Sequence, residues 1–203
     1  MLVTIDGPNG SGKTFLTDAV RAELRSRGAA VYSTHQPSTS ALGNFARRAE
    51  AELQGRGLAC LVAADRHQQV EGEIAEHLEA GEIVLCDRYI ESSLVLQRID
   101  EVATDFIVAI NAGIPRPDLR IRLRAEPGAI RERLATRPPD PGRRFEQSAS
   151  AERELELYDE ADRLLAEDYG VAVEVYDTTH TNAGELGARV ATLIEERRGG
   201  GDD

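Results

Sequence analysis

Short apolar runs alternate with longer amphipathic stretches along the chain, the pattern of strands and helices taking turns. Leu2-Val3-Thr4-Ile5 reads as a buried strand, and residues 14–27 as a helix that Gly28 closes. Ala30 to Ser33 and Ile83 to Cys86 read as the second and third strands. Between them a loop, HQPSTS at 35–40, leads into helical patterns over about 41–54 and 58–80, parted by Gly55 and Gly57. A helical segment follows Tyr89 and stops at Asn111-Ala112-Gly113. Leu119 to Leu123 alternates as L-R-I-R-L, which predicts a fourth strand less buried than the others. Helices over 127–136, about 150–168 and about 183–197 flank a fifth strand at 171–175. The stretch from Arg137 to Arg144 holds three prolines and a glycine, which forbid regular structure. Five strands separated by helices predict an α/β fold, an open parallel sheet covered on both faces.

At 203 residues the chain is a little over one typical domain long. One domain over residues 1–198 is expected, with 199–203 as a flexible tail. Hydrophobic residues at 41% and charged residues at 30% are ordinary for a folded chain with a sizeable core. The net charge is −12, from 24 basic and 36 acidic residues. So acidic a chain is a poor general binder of nucleic acid or of an anionic membrane, since both need a basic face. A local basic pocket for a phosphorylated ligand is still compatible with it. No apolar run approaches the roughly 18 residues of a transmembrane helix, and MLVTIDG has no basic n-region, so neither a membrane span nor a signal peptide is expected. Cys60 and Cys86 lack metal-ligand spacing and sit among apolar residues, so both are expected to be buried, reduced thiols of a cytoplasmic protein.

Gly7-Pro8-Asn9-Gly10-Ser11-Gly12-Lys13-Thr14 fits the phosphate-loop pattern G-x-x-x-x-G-K-[ST] at every fixed position. Its glycines let successive backbone N–H groups turn inward on an anion, and the helix beginning near Lys13 adds its positive end. Lys13 can reach the β- and γ-phosphates of a nucleoside triphosphate, and the Thr14 hydroxyl can ligate Mg²⁺. An apolar strand before the motif and an amphipathic helix after it supply the context that the motif needs. This much predicts binding of a triphosphate and leaves its use open.

A second constellation narrows that use. Cys86-Asp87-Arg88-Tyr89 stands where the third strand ends at the carboxyl edge of the sheet, the edge where open α/β folds bind ligands. Asp87 can serve a metal-bound phosphate there and Arg88 a second phosphate. Arg66 lies on an amphipathic helix upstream. Arg137, Arg143 and Arg144 stand in the Pro/Gly segment, which suits a lid that closes over transferring phosphates. Phosphoryl transfer needs positioning and positive charge above all, and these parts suffice for it.

The chain resembles the thymidylate kinase family. The resemblance rests on the phosphate loop, LVAADR at 61–66, DRYIESSLVLQ at 87–97, RPDL at 116–119 and DPGRRFE at 140–146, in order over roughly residues 2–195. It implies a P-loop nucleoside monophosphate kinase fold with strand order 2-3-1-4-5, a lid over about 137–147, ATP and Mg²⁺ as donor, and a homodimer. It implies that Gly7, Asn9, Gly10, Ser11, Gly12, Lys13 and Thr14 hold the ATP phosphates. Lys13, Asp87, Arg88, Arg137, Arg143 and Arg144 become the catalytic set, with Thr14 and Asp87 at the Mg²⁺. Asn9, Gln36, Val62, Arg66, Arg88, Ser93, Leu96, Gln97 and Tyr158 become the acceptor side. Phosphorylation of dTMP to dTDP follows.

The departures gather on that acceptor side. Asn9 stands where the family usually has a carboxylate near the acceptor sugar. Val62 matches an aromatic that stacks on thymine, and Leu96 a tyrosine near the sugar. His35-Gln36-Pro37 replaces Arg-Glu-Pro, and Phe15 a small hydroxyl residue. A lost stacking aromatic costs about 1–3 kcal/mol per base. A related acceptor, another pyrimidine or modified nucleoside monophosphate, therefore stays open beside dTMP. A non-catalytic nucleotide-binding protein fits less well because it needs neither acceptor arginines nor a lid, and a nucleoside kinase because it needs a carboxylate base near the 5′-hydroxyl and has little use for Arg88. His35 reads as a loop residue, Asp6 as a bonder of loop amides or of metal water, and Glu152-Arg153-Glu154 with Glu156 as a charged helix face.

Overall fold

A computed structural model of the chain describes residues 1–138, 144–145, 150–181 and 183–200. Strands β1 (Leu2–Asp6), β2 (Val31–His35), β3 (Ile83–Asp87), β4 (Leu119–Arg124) and β5 (Val173–Asp177) form one sheet in the order β2-β3-β1-β4-β5. All neighbouring pairs are parallel. Every chain crossover therefore carries helix. These are α1 (Lys13–Ser26), α2 (Ala41–Ala49), α3 (Gly55–Gln69), α4 (Ala75–Glu79), α5 (Ile90–Ile99), α6 (Thr104–Ile110), α7 (Pro127–Ala135), α8 (Ala151–Tyr169) and α9 (Ala183–Gly199). The predicted strand order and layers are the observed ones.

Strand alternation divides the core in two. Val3, Ile5, Leu85 and Ile121 face Leu16, Val20 and Leu24 of α1 and Leu186, Val190 and Ile194 of α9. Leu2, Val84 and Cys86 face the other way, onto Leu94 of α5 and Leu157, Tyr158 and Leu165 of α8.

Several expectations are corrected. The pattern over 58–80 is not one helix: α3 gives way to a π-helical turn at Val70–Ile74 before α4. His35 ends β2 rather than opening the loop, and β5 sits two residues later than the pattern predicts. Cys60 is exposed on α3, whereas Cys86 is buried.

The largest correction concerns β4, which is buried along its first five residues. Arg120 is 0% exposed and Arg122 6%. The polar side of the alternation faces acids, not water. Arg120 Nε donates to Glu91 Oε1 of α5 at 2.7 Å, and its Nη2 lies 3.3 Å from Asp162 Oδ1 of α8. Arg122 pairs with Asp159 and Asp162. Buried charges persist only when paired, and α5 and α8 bring the partners.

Candidate active site

Register sets the site. Ile5 of β1 pairs with Asp87 of β3, and Asp87 with His35 of β2, so three strands end side by side at one edge. The β1–α1 and β3–α5 connections leave from that edge. Gly7 has φ 145°, and a Cβ there would come within 2.5 Å of the Leu123 carbonyl oxygen, so this turn admits only glycine. Gly12 has φ 95° and starts α1 with no side-chain cap and no acidic residue in the first turn. The first N–H groups of α1 are thus left for an anion. The loop is clamped from outside: Thr178 donates to Ser11 O at 2.8 Å and Arg133 to Gly10 O at 3.2 Å.

Lys13 Nζ donates to the carbonyls of Gly7 and Pro8, at 2.8 and 2.9 Å. Burial and the neighbouring Arg88 charge lower its pKa to about 7. Thr14 Oγ1 donates to Asp87 Oδ2 at 2.8 Å. Asp87 Oδ1 is buried with no hydrogen-bond partner among the described residues. A hydroxyl oxygen beside an acceptor that lacks a donor is what a hard divalent cation needs, so these two residues fit Mg²⁺.

The β3–α5 turn is fixed by a carboxylate beneath it. Asp6 accepts from the Tyr89 and Ser92 N–H groups, each at 3.1 Å, and from the Ser92 hydroxyl. Asp6 therefore bonds loop amides, the first of its two expected roles. Arg88 is held at φ 73°, a conformation that non-glycine residues rarely adopt, with its N–H on Ile5 O at 2.9 Å. Its guanidinium reaches Asn9 Oδ1 at 2.7 Å and Ser92 Oγ at 3.1 Å.

Two cavities meet across the phosphate loop. One, of about 570 Å³, is lined by Asn9, Lys13, Thr14, His35, Gln36, Pro37, Arg47, Glu50, Asp87, Arg88, Leu96 and Phe145. The other, of about 480 Å³, is lined by Ser11, Leu16, Arg133, Thr136, Thr178, Thr181 and Leu186. Gly10, Gly12, Phe15 and Arg137 border both.

The remaining candidates fall into three groups. Gln36, Leu96 and Arg88 line the first cavity with Asn9. Arg66, Ser93, Gln97 and Tyr158 are buried and do not line it. Arg66 donates to Gln36 Oε1 at 2.6 Å, to Ser93 Oγ at 2.8 Å, and to Asn111, so it steadies Gln36 from below. Tyr158 OH lies 3.2 Å from Ser92 Oγ, and burial pushes its phenol pKa upward. Val62 is half-buried on α3, off the cavity lining. Of the lid arginines, Arg137 stands at the junction, while Arg144 makes a forked pair with Asp100 at 2.8 and 2.7 Å. Arg143 and much of the 137–147 lid lie outside the described residues.

Sequence reasoning missed four groups. Phe145 brings an aromatic wall to the first cavity beside Leu96. Arg47 donates to Pro37 O at 2.6 Å and holds the turn that carries Gln36. Its signal was its place one turn after Gly43 on a Ser40-capped helix. Glu50 accepts from the Phe145 N–H at 3.1 Å, and burial raises its pKa. Glu154 corrects the reading of residues 152–156 as a charged face, because it is only 4% exposed and reaches the phosphate loop.

A triphosphate loop, an arginine-bearing turn at the next strand and a second cavity end to end with the first define a P-loop kinase of phosphorylated acceptors. The comparisons make this particular. The family model for thymidylate kinase matches residues 5–176. A "Probable thymidylate kinase" of Pyrobaculum calidifontis is 33% identical over 200 residues, covering 96% of each chain. A thymidylate kinase of Xanthomonas campestris pv. campestris is 33% identical over 155 residues, 75% of this chain and 68% of that one. A solved thymidylate kinase from Candida albicans shares the fold with a TM-score of 0.77, at 18% identity over 97% of this chain and 92% of that one. The chain belongs to the thymidylate kinase family and is a nucleoside monophosphate kinase enzyme.

Proposed function

We propose that the protein transfers the γ-phosphoryl group of ATP to the phosphate of dTMP, giving dTDP and ADP. The observation that carries this reading is the junction of the two cavities at Gly10, Gly12, Phe15 and Arg137, with Lys13, Thr14 and Arg88 lining the first of them. The triphosphate lies along Gly7 to Thr14, with its nucleoside end in the Arg133–Thr178 cavity. The acceptor lies in the larger cavity with its phosphate on Arg88.

Its anionic oxygen already carries the attacking electron pair, so no general base is needed. It bonds to the γ-phosphorus as the bond to the β,γ-bridging oxygen breaks, and ADP leaves with that electron pair. Arg88 orients the attacking phosphate. Lys13 exchanges the Gly7 and Pro8 carbonyls for phosphate oxygens. Arg137, Arg143 and Arg144 add charge as the lid closes, which requires Arg144 to leave Asp100. Thr14 and Asp87 would hold Mg²⁺, which would neutralise charge on the phosphates. The reading takes in one kinase domain over 1–198, a homodimer as the sequence resemblance implies, and a place in cytoplasmic nucleotide synthesis.

One observation favours a second acceptor reading. Leu96 gives the first cavity an apolar wall, which offers no hydroxyl to meet the sugar. Leu96 stands where the family's tyrosine helps to exclude a ribose 2′-hydroxyl, so the second reading is a relaxed sugar gate that admits a ribonucleotide or another pyrimidine monophosphate. ADP release at fixed ATP and Mg²⁺, with dTMP, dUMP, UMP, dCMP and CMP in turn, tests both. A clear preference for dTMP supports the first reading; equal rates with UMP replace it by the second.

A further inference from the structure

Among the described residues, Glu154 is the carboxylate that α8 sends to the phosphate loop. It lies on the first turns of α8, where Ser150 caps the helix by accepting the Arg153 N–H at 3.1 Å. Its two oxygens take two N–H groups of one residue. Asn9 N donates to Oε2 at 2.9 Å and Asn9 Nδ2 to Oε1 at 3.4 Å. Both residues are buried. The third polar atom of Asn9, Oδ1, accepts from Arg88 Nη2 at 2.7 Å.

An amide has two faces, a donor and an acceptor, and rotating it half a turn exchanges them. A guanidinium only donates. If the Asn9 amide turned over, its NH₂ would meet the Arg88 donors and the contact would become repulsive. A carboxylate only accepts, so Glu154 admits one orientation of the amide. We propose that Glu154 is a positioning residue, which holds the Asn9 amide with its oxygen toward Arg88 and so aims the guanidinium at the acceptor phosphate. This rests on the kinase reading for what Arg88 binds. The Glu154–Asn9–Arg88 chain stands on geometry alone.

The chain of contacts predicts a reversal that a merely structural role would not produce. Glu154→Ala frees the amide to turn and should weaken dTMP binding about tenfold. Asn9→Asp alone should also weaken it, because two carboxylates then face each other. Joined, the two changes should cancel. With Asn9→Asp the side chain accepts in either orientation, and with Glu154→Ala no second carboxylate opposes it. Affinity should return to within about threefold of the parent.

The experiment measures dTMP affinity by calorimetry without ATP, ATP affinity separately, and thermal melting, for the parent, both single variants and the double variant. Glu154→Gln, which keeps the volume and loses the charge, replaces Glu154→Ala if that variant does not fold, and should also weaken dTMP binding. ATP affinity should change less than dTMP affinity throughout. A double variant no better than the worse single one overturns the proposal. So does an unchanged dTMP affinity on loss of Glu154, or an equal fall for ATP and dTMP, which would make Glu154 a brace for the loop alone. Turnover is scored apart. A parent that binds dTMP but releases no ADP defeats the kinase reading and leaves the binding cycle standing. A parent that binds neither dTMP nor UMP overturns both.

Discussion

Thr14 donates its hydroxyl proton to Asp87 across 2.8 Å and so ties the first turn of α1 to the end of β3. The other Asp87 oxygen is buried without a partner among the described residues. The pair is poised to exchange a side-chain hydrogen bond for a shared cation.

Thr14→Ala is therefore expected to raise the Mg²⁺ concentration needed for half-maximal rate by about 10- to 100-fold. Thr14→Ser should restore it, because serine keeps the hydroxyl. A Mg²⁺ titration of ADP release reads the difference.

Lys13 makes ATP binding depend on pH. Its pKa in the folded, ligand-free chain is lowered to about 7 by burial and by Arg88. Triphosphate favours the charged ammonium, so above neutrality each ATP bound must bring a proton with it. ATP affinity should fall from about pH 7 to about pH 9, with proton uptake visible by calorimetry in buffers of different ionisation enthalpy. Folding has the opposite slope. The unfolded chain holds this proton until its ordinary pKa of 10.5, so ligand-free stability should rise between about pH 7 and pH 10 from this group. Lys13→Met should remove both slopes.

Arg120 carries a stability prediction. It is wholly buried between Glu91 and Asp162, and removing it leaves the buried Glu91 carboxylate without its cation, while Asp162 keeps only Arg122. Arg120→Ala should cost about 3–5 kcal/mol. At roughly 2–4 °C per kcal/mol for a chain of this size, melting should fall by at least about 6 °C. Calorimetric melting measures it.

The two thiols should differ sharply. Cys60 is exposed, whereas Cys86 is buried and its pKa is pushed well up by burial, with Asp6 and Asp87 adding to it. An aromatic disulfide reagent should titrate one thiol in the native protein and two after denaturation. Cys60→Ser should abolish the native reaction.

What could be read from the chain alone was what is local. The phosphate loop is legible because its pattern lies in eight consecutive residues, and strand order followed from the resemblance that those residues supply together with 61–66, 87–97, 116–119 and 140–146. Arg88 was legible as the residue after a buried strand. Its aim was not. Glu154 is 145 residues from Asn9, and a glutamate among other charges on a helix gives no sign of which one turns inward.

The same limit explains β4. Alternation states which side chains share a face of a strand, and Arg120 and Arg122 do share one. Whether that face meets water or a layer of acids depends on how α5 and α8 lie over the sheet. Residue order alone set the local turns, the triphosphate loop and the family. Packing chose which distant charges meet, because a contact between segments exists only once the sheet brings them together. Burial then makes an ion pair obligatory where water would have made it optional.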